Sequence, residues 1–215
     1  MLLSFDKRFL FVANTKTAST SIEAVLRPHA QIVRAETPAR KHVPLAQALT
    51  EYRGAFAEAG CAPGAVLKFG VMRDPVEWIG SWYRYRRGND VASPLPPDMS
   101  FADFWARADW NIRRVNGERH LQRRMFCREG KPIADIVVPF PRVGEVFARI
   151  CAGLGIAADA LPRENRSRLT EIEGLTPELE AEMRDYYAAD YALWAQLDEI
   201  NAPALARLDR GEYRA

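Results

Sequence analysis

The run Phe9-Leu10-Phe11-Val12-Ala13-Asn14-Thr15-Lys16-Thr17-Ala18-Ser19-Thr20-Ser21-Ile22-Glu23-Ala24-Val25-Leu26 decides how the chain is read. It opens on a continuous apolar stretch of strand-forming residues, the pattern of a strand covered on both faces. It closes on Ile22, Val25 and Leu26, spaced i, i+3, i+4 as on one face of a helix. Between them lies a polar loop with one lysine and five hydroxyl side chains. Strand, loop and helix start together suit an anion. First-turn N–H groups lack intrahelical partners, and the helix dipole adds partial positive charge. Lys16 adds a full charge, and Thr17, Ser19, Thr20 and Ser21 add donors. The plainer reading is a capped strand-to-helix turn, with Thr20 and Glu23 as a capping box.

A second unit of the same kind follows. Ala65 to Met72 is a continuous apolar run that reads as another buried strand. It leads directly into Arg73-Asp74-Pro75-Val76-Glu77-Trp78-Ile79-Gly80-Ser81-Trp82-Tyr83. Asp74 is a natural N-cap, Pro75 a natural first helical residue, and Glu77 completes the box. Val76, Ile79, Gly80 and Tyr83 share a face, and Gly88 is a plausible stop. Arg73 at the strand end and Ser81 two turns into the helix converge on one phosphate if the helix starts beside the strand end. A guanidinium fork with a hydroxyl suits a phosphomonoester.

The first loop differs from the nucleotide P-loop G-x-x-x-x-G-K-[ST], since it has no glycine and its lysine precedes the hydroxyls. Its order T-K-T-A-S-T-S resembles instead the 5′-phosphosulfate loop of sulfotransferases. Asn14-Thr15 stands where many members carry a proline, and Ala18 where glycine is common. The pattern F-x-x-x-R-[DN]-P-x-x-x-x-x-S around Arg73 and Ser81 resembles the 3′-phosphate motif of the same superfamily. Lys41-His42-Val43-Pro44, Leu161 to Ser167 and the closing helices from Pro177 to Trp194 extend the similarity. Within that superfamily the chain most resembles the bacterial family 2 branch, which is related to carbohydrate sulfotransferases.

That resemblance implies a P-loop-like α/β fold, a parallel sheet flanked by helices with a helical C-terminal part. It implies 3′-phosphoadenosine 5′-phosphosulfate (PAPS) as sulfuryl donor and 3′,5′-ADP as product, with no metal required. Lys16 is then expected at the bridging oxygen, Thr15 through Ser21 (Thr15, Lys16, Thr17, Ala18, Ser19, Thr20, Ser21) around the 5′-phosphosulfate, and Arg73 with Ser81 on the 3′-phosphate. Arg166 and Ser167 are expected to close over the nucleotide. His42, just before a helix start at Val43-Pro44, is the candidate general base, because a helix N-terminus disfavours imidazolium. Glu36 in the same connection is the alternative, and His120 is a second-choice histidine. The acceptor is a small molecule or carbohydrate hydroxyl, or an amine.

Composition bounds these readings. A chain of 215 residues, 48% hydrophobic and 27% charged, suits one α/β domain over 1–215 with a sizeable core. A net charge of +2 does not suggest nucleic acid as a partner. No apolar run reaches the ~20 residues of a membrane span, and Asp6-Lys7-Arg8 break the N-terminal apolar residues, so a cytoplasmic protein without membrane association is expected. Three widely spaced cysteines suggest reduced thiols rather than a metal cluster. Arginines are dense from Arg84 to Arg128, either as solvated helix faces or as a basic wall for an anion. Two other functions stay open. One is a non-catalytic nucleotide- or glycan-binding protein on the same fold. The other is a P-loop-type nucleotide kinase, which calls for a Walker glycine pair and a Mg²⁺ carboxylate that the sequence does not offer.

Overall fold

The computed structural model describes residues 1–88, 91, 94–107, 114–115, 118–157, 161 and 172–214. Five strands form one sheet: β1 (Leu2–Ser4), β2 (Phe9–Val12), β3 (Ile32–Val33), β4 (Leu67–Met72) and β5 (Ile136–Pro139), in the order β3-β1-β2-β4-β5. Ten helices are described: α1 (Ser19–Leu26), α2 (Pro38–Lys41), α3 (Leu45–Glu51), α4 (Arg53–Glu58), α5 (Pro75–Gly88), α6 (Phe101–Arg107), α7 (Val143–Gly153), α8 (Pro177–Tyr186), α9 (Ala188–Trp194) and α10 (Leu197–Asp209). The class is α/β, and the C-terminal part is helical as expected.

The sheet is mixed, not wholly parallel. β2, β4 and β5 run parallel, while β1 is antiparallel to both β2 and β3. The cause is chain length. Only Phe5 to Arg8 separate β1 from β2, too short for the crossover a parallel pair needs. Arg8 takes φ 50° to close this turn.

The strands alternate between two cores. Phe9, Phe11, Phe69, Val71, Ile136 and Val138 pack with α1, α7 and α10 on one face. Leu10, Val12, Met72 and Val137 pack with α3, α4 and α9 on the other. Such two-sided cover explains why β2 and β4 lack polar alternation. A third cluster, built on Val76, Ile79, Tyr83, Phe101, Phe104 and Tyr187, joins α5 and α6 to α8. Tyr187 is fully buried in this cluster, and Tyr186 and Tyr191 pack against it half-buried. The outer edge of β5 is closed by α10, where Asn201 accepts from Val137 N–H and donates to its carbonyl. Gly70 in β4 is fixed by packing, because a Cβ there would lie 2.7 Å from the Phe126 ring and 2.8 Å from the Val12 carbonyl oxygen.

Two local expectations change. The capping box at Thr20 does not form, because α1 begins at Ser19 with Ala18 as N-cap in the left-handed region and no side-chain cap. Glu23 instead pairs with Lys41 Nζ at 2.9 Å. At α5 the expected cap is present: Asp74 Oδ1 accepts from Val76 and Glu77 N–H at 2.9 and 3.1 Å. Gly88 is the last residue of that helix rather than a stop beyond it.

A candidate anion-binding cleft

The functional side chains meet because β2 and β4 are parallel neighbours, with Val12 opposite Gly70. Their following loops therefore leave the same edge of the sheet side by side. A cleft of about 610 Å³ opens there, lined by the whole loop from Thr15 to Ser21, by Lys41 and His42, and by Arg73 and Ser81. Trp82, Tyr85, Arg86, Val91 and Phe140 complete its walls. Every expected site residue within the described part of the chain is thus brought together. Arg166 and Ser167 lie outside the described residues. Glu36 does not line the cleft; it pairs with Arg40 on the surface, 2.6 Å away.

The loop is held in an unusual backbone shape. Lys16 and Ala18 both have positive φ, 58° and 59°, which costs a non-glycine residue about 1–2 kcal/mol. Left-handed Ala18 ahead of helical Ser19 turns successive N–H groups toward one side, the geometry of an anion nest. Asn14 holds this shape. Its Nδ2 donates to the Val71 carbonyl at 3.2 Å and to Gln122 Oε1 at 2.9 Å, its Oδ1 accepts from Thr15 N–H, and its carbonyl accepts from Thr17 Oγ1. From α5, Trp78 Nε1 donates to the Thr15 carbonyl at 2.9 Å.

Gln122 ties the two loops together. Its Oε1 accepts from Asn14 and from Arg73 N–H, and its Nε2 donates to the Arg73 carbonyl at 2.8 Å. Gln122 is itself fixed by Asp190, whose carboxylate accepts from the Gln122 and Arg123 N–H groups at 2.9 and 2.8 Å. Burial raises the Asp190 carboxyl to about 6. The sequence marks Asn14 only as standing at a position where many members of the resembled superfamily carry proline, and assigns no role to Trp78, Gln122 or Asp190. Gln122 lies 108 positions from Asn14, and no local spacing signals such a contact.

The electrostatics are one-sided. Burial, then Arg73 and Arg84, lower the Lys16 ammonium to about 8. Burial lowers Arg73 and Arg84 as well. Arg73 lies against the Phe140 ring, 4.3 Å from its centroid. Its Nε forms an ion pair with Glu77 Oε2 at 3.4 Å, short of hydrogen-bond geometry, and the exposed carboxylate offsets its charge only weakly. Lys16 Nζ rests 3.7 Å from the Tyr85 ring centroid, a cation–π contact. Thr15 Oγ1, Arg73 Nε and Arg84 Nε are buried without hydrogen-bond partners. A group of desolvated cations and unpartnered donors is what an anion would satisfy.

His42 sits at the cleft wall with Nδ1 2.7 Å from the Ala13 carbonyl oxygen. A carbonyl can only accept, so Nδ1 carries the proton and neutral His42 keeps its lone pair on Nε2. Its pKa is lowered mainly by burial; the Ala13 bond opposes that shift, and Lys41 adds to it. The expected neutral imidazole is reached by desolvation. α3 starts at Leu45 with Pro44 as its N-cap, so His42 lies outside that helix. His120 stacks edge-on against Trp78, 5.0 Å between ring centroids, and is not among the cleft-lining residues.

The arginine-rich run divides. Arg119, Arg124 and Arg128 are exposed and bonded to carbonyls or carboxylates, whereas Arg86 lines the cleft and Arg84 is buried beside it. Among the described residues no group of three or more His, Cys, Asp or Glu side chains is placed to hold a metal ion. No helix among them is long and apolar enough to cross a membrane. Comparison with protein-family models, with curated proteins and with solved structures finds no match for the chain.

Proposed function

We propose that the protein transfers a sulfuryl group from PAPS to a hydroxyl or amine acceptor. One observation carries the reading. The loop bearing Lys16 and the strand end bearing Arg73, with Ser81, face one cleft that concentrates desolvated cations and holds a neutral histidine. A donor with phosphate at two ends fits those separate loops, and unpartnered Thr15 Oγ1 and Arg73 Nε offer it free donors.

When bound, PAPS supplies an activated sulfuryl group whose leaving group is a phosphate, displaced in line much as in phosphoryl transfer. The amides and hydroxyls from Thr15 to Ser21 bind the 5′ end. Lys16 leaves the Tyr85 face to neutralise charge on the departing oxygen, a contribution of about 3 kcal/mol by analogy with other preorganised oxyanion donors. Arg73 and Ser81 hold the 3′-phosphate, which separates this donor from ordinary nucleotides. His42 Nε2 takes the acceptor proton while Nδ1–H stays on Ala13, worth about 10²–10⁴-fold in rate. The acceptor in this reading is a carbohydrate or other small-molecule hydroxyl, or an amine, that reaches the same cleft.

The test is transfer of label from PAPS to an acceptor panel. Turnover is expected in the wild type, abolished in Lys16→Ala and reduced about 10²–10⁴-fold in His42→Ala with donor affinity kept. Tight 3′,5′-ADP binding without any transfer would replace this reading with that of a binding protein. A tight, Mg²⁺-dependent ATP site would replace it with a kinase.

A further inference from the structure

Arg84 is the one strongly buried arginine of the arginine-rich run among the described residues, with 9% of its surface exposed. Its Nε has no hydrogen-bond partner, and among the described residues no carboxylate comes within ion-pair distance of its guanidinium. It projects from α5 three residues after Ser81, so the two share a helix face one turn apart. Long helical side chains lean toward the helix N-terminus, and this one does: Nη1 lies 3.4 Å from where a Cβ on Gly80 would stand. The guanidinium therefore reaches back along α5 over Gly80, near enough to Arg73 and Lys16 for the positive charges to disfavour one another. Ile172 closes over the same glycine, with its Cδ1 2.4 Å from that Cβ position, so only a residue without a side chain leaves room for both.

An unpaired buried cation beside two others is expensive, and exchanging it for an apolar side chain is commonly neutral or stabilising. Among the described residues no carboxylate pairs with it, and Glu77 offsets it only through space, so the position suits an anionic ligand. We infer that Arg84 is a third ligand, with Arg73 and Ser81, to a terminal phosphate dianion at the start of α5. Under the donor reading proposed above, on which the identity of the dianion rests, this is the 3′-phosphate of the nucleotide. Arg73 supplies a fork at the strand end, Ser81 a hydroxyl, and Arg84 a second fork from the helix flank. Two guanidinium groups match a dianion in charge, which one arginine and a serine do not.

Arg84→Met and Arg84→Lys, beside the wild type, test this by calorimetry with 3′,5′-ADP, 5′-AMP and inorganic pyrophosphate, and by thermal melting. The wild type is expected to prefer 3′,5′-ADP to 5′-AMP. Arg84→Met should lose about 10–100-fold in 3′,5′-ADP affinity, leave the weaker 5′-AMP binding unchanged, and melt at the same or a higher temperature. Arg84→Lys should fall between the two. A preference for 3′,5′-ADP that survives in Arg84→Met overturns the inference and leaves the donor reading standing. A melting temperature that falls together with affinity for every ligand also overturns it, since Arg84 is then structural. Pyrophosphate binding that depends on Arg84, with no preference between the two nucleotides, keeps Arg84 as an anion ligand and removes the donor reading. Absence of binding to all three ligands by folded wild type removes both.

Discussion

Lys16 carries a charge that its surroundings disfavour. Buried near Arg73 and Arg84, it titrates at about 8, against 10.5 for the ordinary side chain. Between those values the unfolded chain binds more protons than the folded one, so stability rises with pH across that window. The penalty is complete below the lower value. A bound anion reverses the preference, because it favours the ammonium. Binding of 3′,5′-ADP near pH 8 is therefore expected to take up a proton, read by calorimetry in buffers of different ionisation heat, and Lys16→Met should abolish the uptake. Equal uptake by both proteins would mean that another group responds. Lys16, Arg73, Ser81 and His42 were legible in the sequence because each sits in a short phrase with its own chemistry. Arg84 was visible only as one of many arginines, since burial and the absence of a partner leave no mark on a sequence. Asn14-Thr15 stands where many members of the resembled family carry proline, and the role of Asn14 in fixing the loop emerges only with Val71 and Gln122 in place.

At the scale of elements, the loops after β2 and β4 are locked to each other by a side chain from neither. Gln122 satisfies the Arg73 N–H and carbonyl and the Asn14 amide at once. Gln122→Leu keeps much of the volume and strands all three groups. It should destabilise the fold by about 2–4 kcal/mol in urea unfolding, at about 1–3 kcal/mol for each buried group left unpaired. It should also weaken 3′,5′-ADP binding beyond what Gln122→Glu does, since glutamate can still accept from Asn14 and Arg73. Undiminished stability in Gln122→Leu would show that the loops hold their shape without it. The buried strands β2 and β4 and the helix starts at Pro75 and Pro177 were legible, because continuous apolar runs, caps and first-turn prolines are local signals. β1 was not, as three residues followed by Asp6-Lys7-Arg8 look like the end of an apolar patch rather than half of a hairpin. The capping box at Thr20 failed because Ala18 takes the left-handed turn and moves the helix start to Ser19.

For the whole molecule, the α/β class followed from two strand–loop–helix units in sequence, and the mixed sheet did not, since the direction of β1 depends on a four-residue turn. The three parallel strands are what matter to the cleft. β2 and β4 deliver its two loops, and β5 leads into Phe140, the platform under Arg73. The C-terminal helices hold it from behind: Asp190 of α9 fixes Gln122, Tyr191 donates to the Asp74 carboxylate, and Asn201 of α10 seals β5. The cleft is thus assembled from elements spread along the described residues, with its positive side chains desolvated at the meeting point. The most direct test of the account is calorimetric titration with 3′,5′-ADP, in competition with 5′-AMP, on the wild type and on Arg73→Ala. Saturable binding that 5′-AMP does not displace, and that is lost in Arg73→Ala, is the predicted result. Folded wild type that fails to bind 3′,5′-ADP, or binds it no better than 5′-AMP, would contradict the assignment of the cleft to a 3′-phosphorylated donor.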